Sequence, residues 1–250
     1  NAMSDFKALA KHSTNYLFAT MATKALVFIS IPVYTRLLSV YEYGIINVFM
    51  STVGIVQVLL TLNTEVAISR YYYDAKNEQE FCSTSIKISS GVWLLMSLIM
   101  AMLNPWLAEE LSFSKVLTLC MIPVATYSII NSIFIQIYQP LLRSKKVAIV
   151  SSVQSYLAFC LSVIFMLCME TERYYGYIWG TIAAMILLAT YLTRQIRPFY
   201  VKSKINREHV KYLLSYSLPY IPYTLSGIIL AQFGRIFMST HGGFDAAGLY

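Results

Sequence analysis

The chain holds 250 residues, of which 57% are hydrophobic and only 12% charged, against about a quarter charged in an ordinary soluble domain. Mean hydropathy is +0.58, and apolar runs of about twenty residues recur, the length a helix needs to cross a hydrocarbon core of ~30 Å. A soluble domain is excluded, and with 10 Gly and 7 Pro so are collagen-like and disordered chains.

Asn1-Ala2-Met3 reads as a tag remnant ahead of a native Met, and no cleavable signal peptide precedes the first apolar run. Seven spans follow, at 13–38, 44–68, 83–104, 116–142, 147–168, 174–193 and 213–238. Runs this long without alternation predict helices, because backbone polar groups in lipid must be satisfied within the segment. The expected fold is an all-α polytopic membrane protein with about seven transmembrane helices. Cys82, Cys120, Cys160 and Cys168 form no CxxC pair, and His12, His209 and His241 have no metal-ligand spacing. No metal or other cofactor is expected.

Lys and Arg set the orientation. With the N-terminus in the cytoplasm, the inner segments carry Lys7 and Lys11, then Arg70, Lys76 and Lys87, then Arg143, Lys145 and Lys146, then six more from Arg194 to Lys211. The outer ends carry only Arg36, Lys115, Arg173 and Arg235. The net charge of +7 is thus a topology signal and an attraction to membrane lipid headgroups. It is too dispersed for nucleic acid binding. Residues 194–212 read as a basic cytoplasmic linker, dividing an N-terminal six-helix bundle (1–193) from the start of a second bundle (213–250).

An internal repeat supports that division. Tyr16 precedes Arg36 by the same interval, within a residue, as Tyr216 precedes Arg235. Each Arg closes an apolar run and is followed by an aromatic, an acid and a glycine: Tyr41, Glu42 and Gly44, then Phe244, Asp245 and Gly248. Parallel repeats of this kind occur in transporters. The chain is therefore expected to be the first half plus one helix of a longer transporter.

Four blocks carry a family likeness: Tyr34-Thr35-Arg36-Leu37-Leu38-Ser39 with Glu42-Tyr43-Gly44, Glu65 to Tyr72, Ser215 to Pro219, and Ala247 to Tyr250. In this order they resemble the polysaccharide-biosynthesis flippases, the O-antigen-type exporters of lipid-linked oligosaccharide in the multidrug/oligosaccharidyl-lipid/polysaccharide (MATE-like) superfamily. The resemblance implies a V-shaped pair of six-helix bundles around a cationic cavity in the bacterial inner membrane. It implies a polyprenyl-diphosphate-linked glycan as substrate and leaves room for contacts with other polysaccharide assembly proteins. Where such proteins often carry Asp-Arg at the end of span seven, this chain has Gly234-Arg235, so no role passes to that acid.

Polar residues inside the spans are the site candidates, since each needs a partner or water. Lys24 lies about 16 Å into span one, where a Lys costs roughly 2.5–3.5 kcal/mol; it either lines a hydrated passage, pairs with Glu65, or snorkels. Arg36 and Arg235, nearer the outer side, would join it in attracting a diphosphate. Span two carries Asn47, Ser51, Gly54, Thr61 and Glu65 on one helical face; its small members are also ordinary helix contacts. Glu65 is the one acid inside a span and the candidate for ion coupling, or a partner of Arg70. Span four repeats the pattern with Ser128, Ser132, Gln136, Gln139 and Arg143. Gln136 and Gln139 suit sugar hydroxyls or interhelical bonds. On span seven, Tyr220 and Tyr223 are candidates to stack on sugars, while Pro32, Pro219 and Pro222 are candidate hinges.

The function expected is a flippase working by alternating access. A multidrug or cation antiporter is the alternative, disfavoured by the single buried acid. A glycan polymerase or ligase would need a substantial outer loop with catalytic groups; no such arrangement is present in the sequence, and an enzyme is not expected.

Overall fold

A computed structural model describes residues 21, 23–74 and 78–249. The tag remnant, Lys7, Lys11, His12, Tyr16, the first part of span one, Lys76 and Tyr250 lie outside them. Helix α1 covers 23–37, followed by α2 (Val40–Thr61), α3 (Ala67–Asp74), α4 (Glu78–Met102), α5 (Asn104–Glu110), α6 (Lys115–Tyr138), α7 (Ser144–Leu167), α8 (Arg173–Ile196) and α9 (Arg207–Leu249). The described residues hold six helices long and apolar enough to cross a membrane, α2, α4, α6, α7, α8 and α9.

Helix boundaries follow local chemistry. Ser39 caps α2: its Oγ accepts the Glu42 N–H at 3.2 Å, and its own N–H donates to Glu42 Oε2 at 2.9 Å, a reciprocal capping box. This gives the acid of the Tyr41-Glu42-Gly44 block a structural task. Ser114 caps α6 in the same way, accepting from Leu117 N–H.

The structure corrects span two. A continuous helix over 44–68 was expected, but α2 ends at Thr61, and Leu62 and Asn63 adopt left-handed angles (φ 48 and 51) before a 3-10 turn at Thr64–Val66. The Asn63 N–H, which a continuing helix would give to the Leu59 carbonyl, goes to Thr61 Oγ1 at 2.9 Å. Glu65 therefore lies in the turn, off the α2 helical face. Span four likewise ends early, at Tyr138, with Leu142 left-handed (φ 55), and the short α5 stands where a loop was expected. Helical geometry runs through Pro219 and Pro222; the break in α9 comes later, at Gly243 (φ 73, ψ −176), a region open to glycine.

In lipid, helices gain nothing from hiding apolar surface from one another, so close packing and hydrogen bonds hold the bundle. Apolar side chains on α4 (Leu94, Leu95, Leu98) and α8 (Ile186, Leu187) point outward and exposed, as expected for a lipid face. With the long apolar helices, this makes the chain an integral membrane protein. Helix α7 lies along α8, where Gly176 and Gly180 admit the other backbone: a methyl at Gly176 would stand 2.8 Å from Met166 Cα, and one at Gly180 would overlap the Ser162 backbone. Tyr34 joins α1 to this pair, its hydroxyl 3.0 Å from Ser162 Oγ. Helix α6 is central, sharing Phe49, Met121, Ala125 and Ile178 with α2 and α8.

The connection between α8 and α9 is shorter than the expected 194–212, because α8 runs to Ile196 and α9 starts at Arg207. It is strapped to α4. Ser83 Oγ accepts from Val201 N–H at 2.7 Å, while its one proton is shared between the Gln79 carbonyl of α4 at 2.8 Å and the Phe199 carbonyl at 3.3 Å. The Lys87 ammonium donates to the Ser203 carbonyl and stands 5.5 Å over the Tyr200 ring. This end of the bundle is called the linker end below, and the opposite one the far end.

Candidate functional site

Helix α9 runs antiparallel to α2 along its whole length, and the polar residues of both meet in that seam. Midway along α2, Ser51, 1% exposed, places its Oγ 2.9 Å from Gln232 Oε1. The same oxygen accepts Arg235 Nη1–H at 3.1 Å. Arg235 is thus half-buried in the seam, tied through Gln232 to the polar face of α2. Gln232 was not singled out in the sequence, although it precedes Arg235 by three residues and so shares its helical face. Toward the linker end, Asn63 Nδ2 donates to Thr224 Oγ1 at 3.2 Å, and Tyr71 OH lies 3.2 Å from His209 Nε2.

One residue from each of the polar stripes expected on spans two and four, Thr61 and Ser132, reaches Glu65. Its side chain is 2% exposed and is approached by the hydroxyls of Thr61 on α2 and Ser132 on α6 and by its own backbone N–H. Beside it, Thr64 Oγ1 lies 2.7 Å from Ser89 Oγ of α4. Pairing of Glu65 with Lys24 does not occur: Lys24 is exposed on α1, on a face it shares with Phe28, 81% exposed, and Ile31.

The remaining candidates separate. Gln136 is half-buried and lines a cavity of about 250 Å³ at the linker end, with Tyr72, Gln79 and Phe199 among its walls. Gln139 caps α6 and is exposed, as is Arg143 beyond it. Arg36 is exposed near the end of α1, and Pro32, Pro219 and Pro222 are exposed along their helices. Tyr220 is half-buried and stacks 6.4 Å from Tyr216; Tyr223 is 70% exposed, its ring 5.2 Å from that of Tyr220. The structure therefore joins Arg235 to the α2 stripe and Glu65 to the α6 stripe, and leaves Lys24, Arg36 and Tyr223 on open faces. Among the described residues no group of three or more His, Cys, Asp or Glu is placed to hold a metal.

Comparison with known proteins gives the fold and the family. An outward-facing multidrug resistance MATE family transporter of the MOP superfamily aligns at a TM-score of 0.70 with 17% identity, over 97% of this chain and 58% of its own. A MOP superfamily transporter from Pyrococcus furiosus Vc1 (DSM3638), reported with a binding pocket of reverse polarity suggesting a different function, aligns at 0.68 with 17% identity over the same shares. An inward-facing MATE family transporter aligns at 0.63 with 16% identity, over 90% of this chain and 55% of its own. The chain thus spans less than two thirds of the length of the solved structures it matches. No curated protein matches by sequence. The family model described as polysaccharide biosynthesis protein matches residues 9–250, and the chain, with a MATE-like helical fold, belongs to that family.

Proposed function

We propose that the protein belongs to a transporter that flips a polyprenyl-diphosphate-linked oligosaccharide across the bacterial cytoplasmic membrane by alternating access, with the linker end in the cytoplasm. The observation that carries this reading is the cationic, hydrogen-bonded cluster of Ser51, Gln232 and Arg235 in the seam between two apolar helices, α2 and α9. An Arg in that position needs polar company or an anion, because an unpaired charge at membrane depth is costly. A guanidinium held by one amide oxygen keeps further N–H donors for phosphate oxygens. Lys24 and Arg36, exposed on α1, add positive charge to an open face of the same bundle. Gln136, with Tyr72 and Phe199, offers amide and ring contacts of the kind sugars take.

The test is glycan export in cells carrying Lys24→Ala or Arg235→Ala in the full-length protein. Each is expected to abolish export at unchanged expression and membrane insertion, with Gly91→Ala as a control, since a methyl there meets nothing within 4 Å. Normal export by both variants overturns the cationic passage. Export of organic cations in place of glycan would point to the antiporter instead.

A further inference from the structure

Glu65 poses a physical problem that the glycan reading does not solve. A carboxylate 2% exposed in a membrane bundle is met only by neutral donors, the hydroxyls of Thr61 and Ser132 and its own N–H. Its Oε2 has no hydrogen-bond partner at all. An uncompensated buried charge is destabilising by several kcal/mol, so something must neutralise it.

The surroundings are built of oxygen. Helix α2 ends here, so the negative end of its dipole and its last carbonyls face the turn. The Leu59 carbonyl has lost the Asn63 N–H to Thr61 Oγ1. Thr64 and Ser89 contribute two more buried hydroxyls. On the flanking helices, further buried oxygens lack partners: Ser85 Oγ, one turn before Ser89 on α4, and Asn131 Oδ1, next to Ser132 on α6. Broken helices whose C-terminal ends and freed carbonyls meet a carboxylate are the arrangement that holds alkali cations in membrane transporters.

We infer that the break in α2 is a binding site for a dehydrated monovalent cation of sodium size, ligated by Glu65 with the hydroxyls of Thr61 and Ser132 and carbonyl oxygens at the end of α2. One carboxylate balances one positive charge; a divalent ion would leave the site with net charge in an apolar surround. Protonation is the competing way to neutralise the group, since the hydroxyls of Thr61 and Ser132 accept as well as donate, and the experiment below separates the two. Asn63, two residues from Glu65, bonds Thr224 of α9. Filling the site therefore tightens the turn that carries the α2–α9 seam.

The experiment is thermal unfolding of the purified, glycan-free full-length protein while NaCl replaces choline chloride at constant ionic strength. The melting temperature is expected to rise and saturate with sodium. In Glu65→Gln the sodium dependence is expected to vanish. Thr61→Val and Ser132→Ala, which keep the charge, are expected to raise the half-saturating concentration about tenfold or more, the range seen when a group supporting a bound metal is lost. These two variants carry the test if Glu65→Gln does not fold. A wild-type curve flat in sodium, including one that responds only to pH, overturns the site, as does an unchanged half-saturation in Thr61→Val and Ser132→Ala. The measurement uses no glycan, so its failure leaves the glycan reading standing, and failure of that reading leaves this one intact.

Discussion

Gly44 is where the seam between α2 and α9 is tightest, and replacing it by alanine measures what closure is worth. The added methyl would overlap the Phe244 carbonyl oxygen and stand 2.7 Å from Phe244 C and 3.1 Å from Gly248 N. Ordinary carbon contacts lie at about 3.5–4.0 Å. All three neighbours are backbone, so no side chain can swing aside and the helices must part by roughly 1 Å. Overpacking of this size costs about 1–3 kcal/mol, which raises the seam-open population roughly 5- to 150-fold. The readout is the labelling rate of Ser51→Cys, a position 1% exposed in the seam, by a small thiol reagent in a background with Cys160 and Cys168 replaced by serine. When opening is faster than labelling, the rate follows the open population. Gly54→Ala is the control: its methyl would meet only Ile228 Cγ2, at an ordinary 3.5 Å, although Gly54 is nearer to Ser51 in the chain. Equal rates in Gly44→Ala and the parent, or an equal rise in Gly54→Ala, would refute the steric argument.

Two further outcomes follow from the packing. Gly176→Ala and Gly180→Ala are each expected to lower thermal stability by an amount equivalent to about 1–3 kcal/mol, because both methyls run into α7 backbone, whereas Gly91→Ala should be neutral or gain up to about 1 kcal/mol from helix propensity; a melting series in one detergent decides it. Ser83→Ala removes the acceptor for the Val201 N–H, a bond contributing about 0.5–1.5 kcal/mol, together with the weaker, shared donation to the Phe199 carbonyl. Tryptic cleavage at Lys202 or Lys204 is then expected to quicken about tenfold, and an unchanged rate would mean the strap does not hold the segment.

Length and hydropathy made the spans legible, since a helix crossing lipid must be long and apolar whatever it packs against. Helical periodicity grouped Ser51 and Thr61 on span two and placed Ser132 on span four, and in the fold each of these side chains meets a polar partner. The end of α2 was not legible, because Thr61-Leu62-Asn63 contains no Gly or Pro and the break depends on Thr61 Oγ1 capturing the Asn63 N–H. The pairing of helices was hidden for a related reason. Gln232 looks like any polar residue in a span until Ser51, on a distant helix, is found opposite it. By contrast, the Gly176 and Gly180 spacing is the small-xxx-small signal for close helix packing, legible in the sequence itself.

The far-end contact between α2 and the segment after Gly243 closes on a glycine from each side. A methyl at Gly44 would meet the Phe244 carbonyl, and one at Gly248 would meet the carbonyl of Val40. Val40 lies four residues before Gly44, and Phe244 four before Gly248, so each segment offers a glycine to the other's carbonyl at the same offset. Two antiparallel helices that place residue i opposite j also place i−4 opposite j+4, so one register brings both glycines onto a facing carbonyl. Both segments follow a break in the helix, at Leu38-Ser39 and at Gly243, and Tyr41 meets Phe244 edge-on with ring centroids 5.6 Å apart. Glycine abundance alone would not produce this pairing: Gly91 and Gly227 have open space where a methyl would go. The two segments therefore close backbone to backbone at this point, a spacing that leaves no room for a side chain at either Gly44 or Gly248.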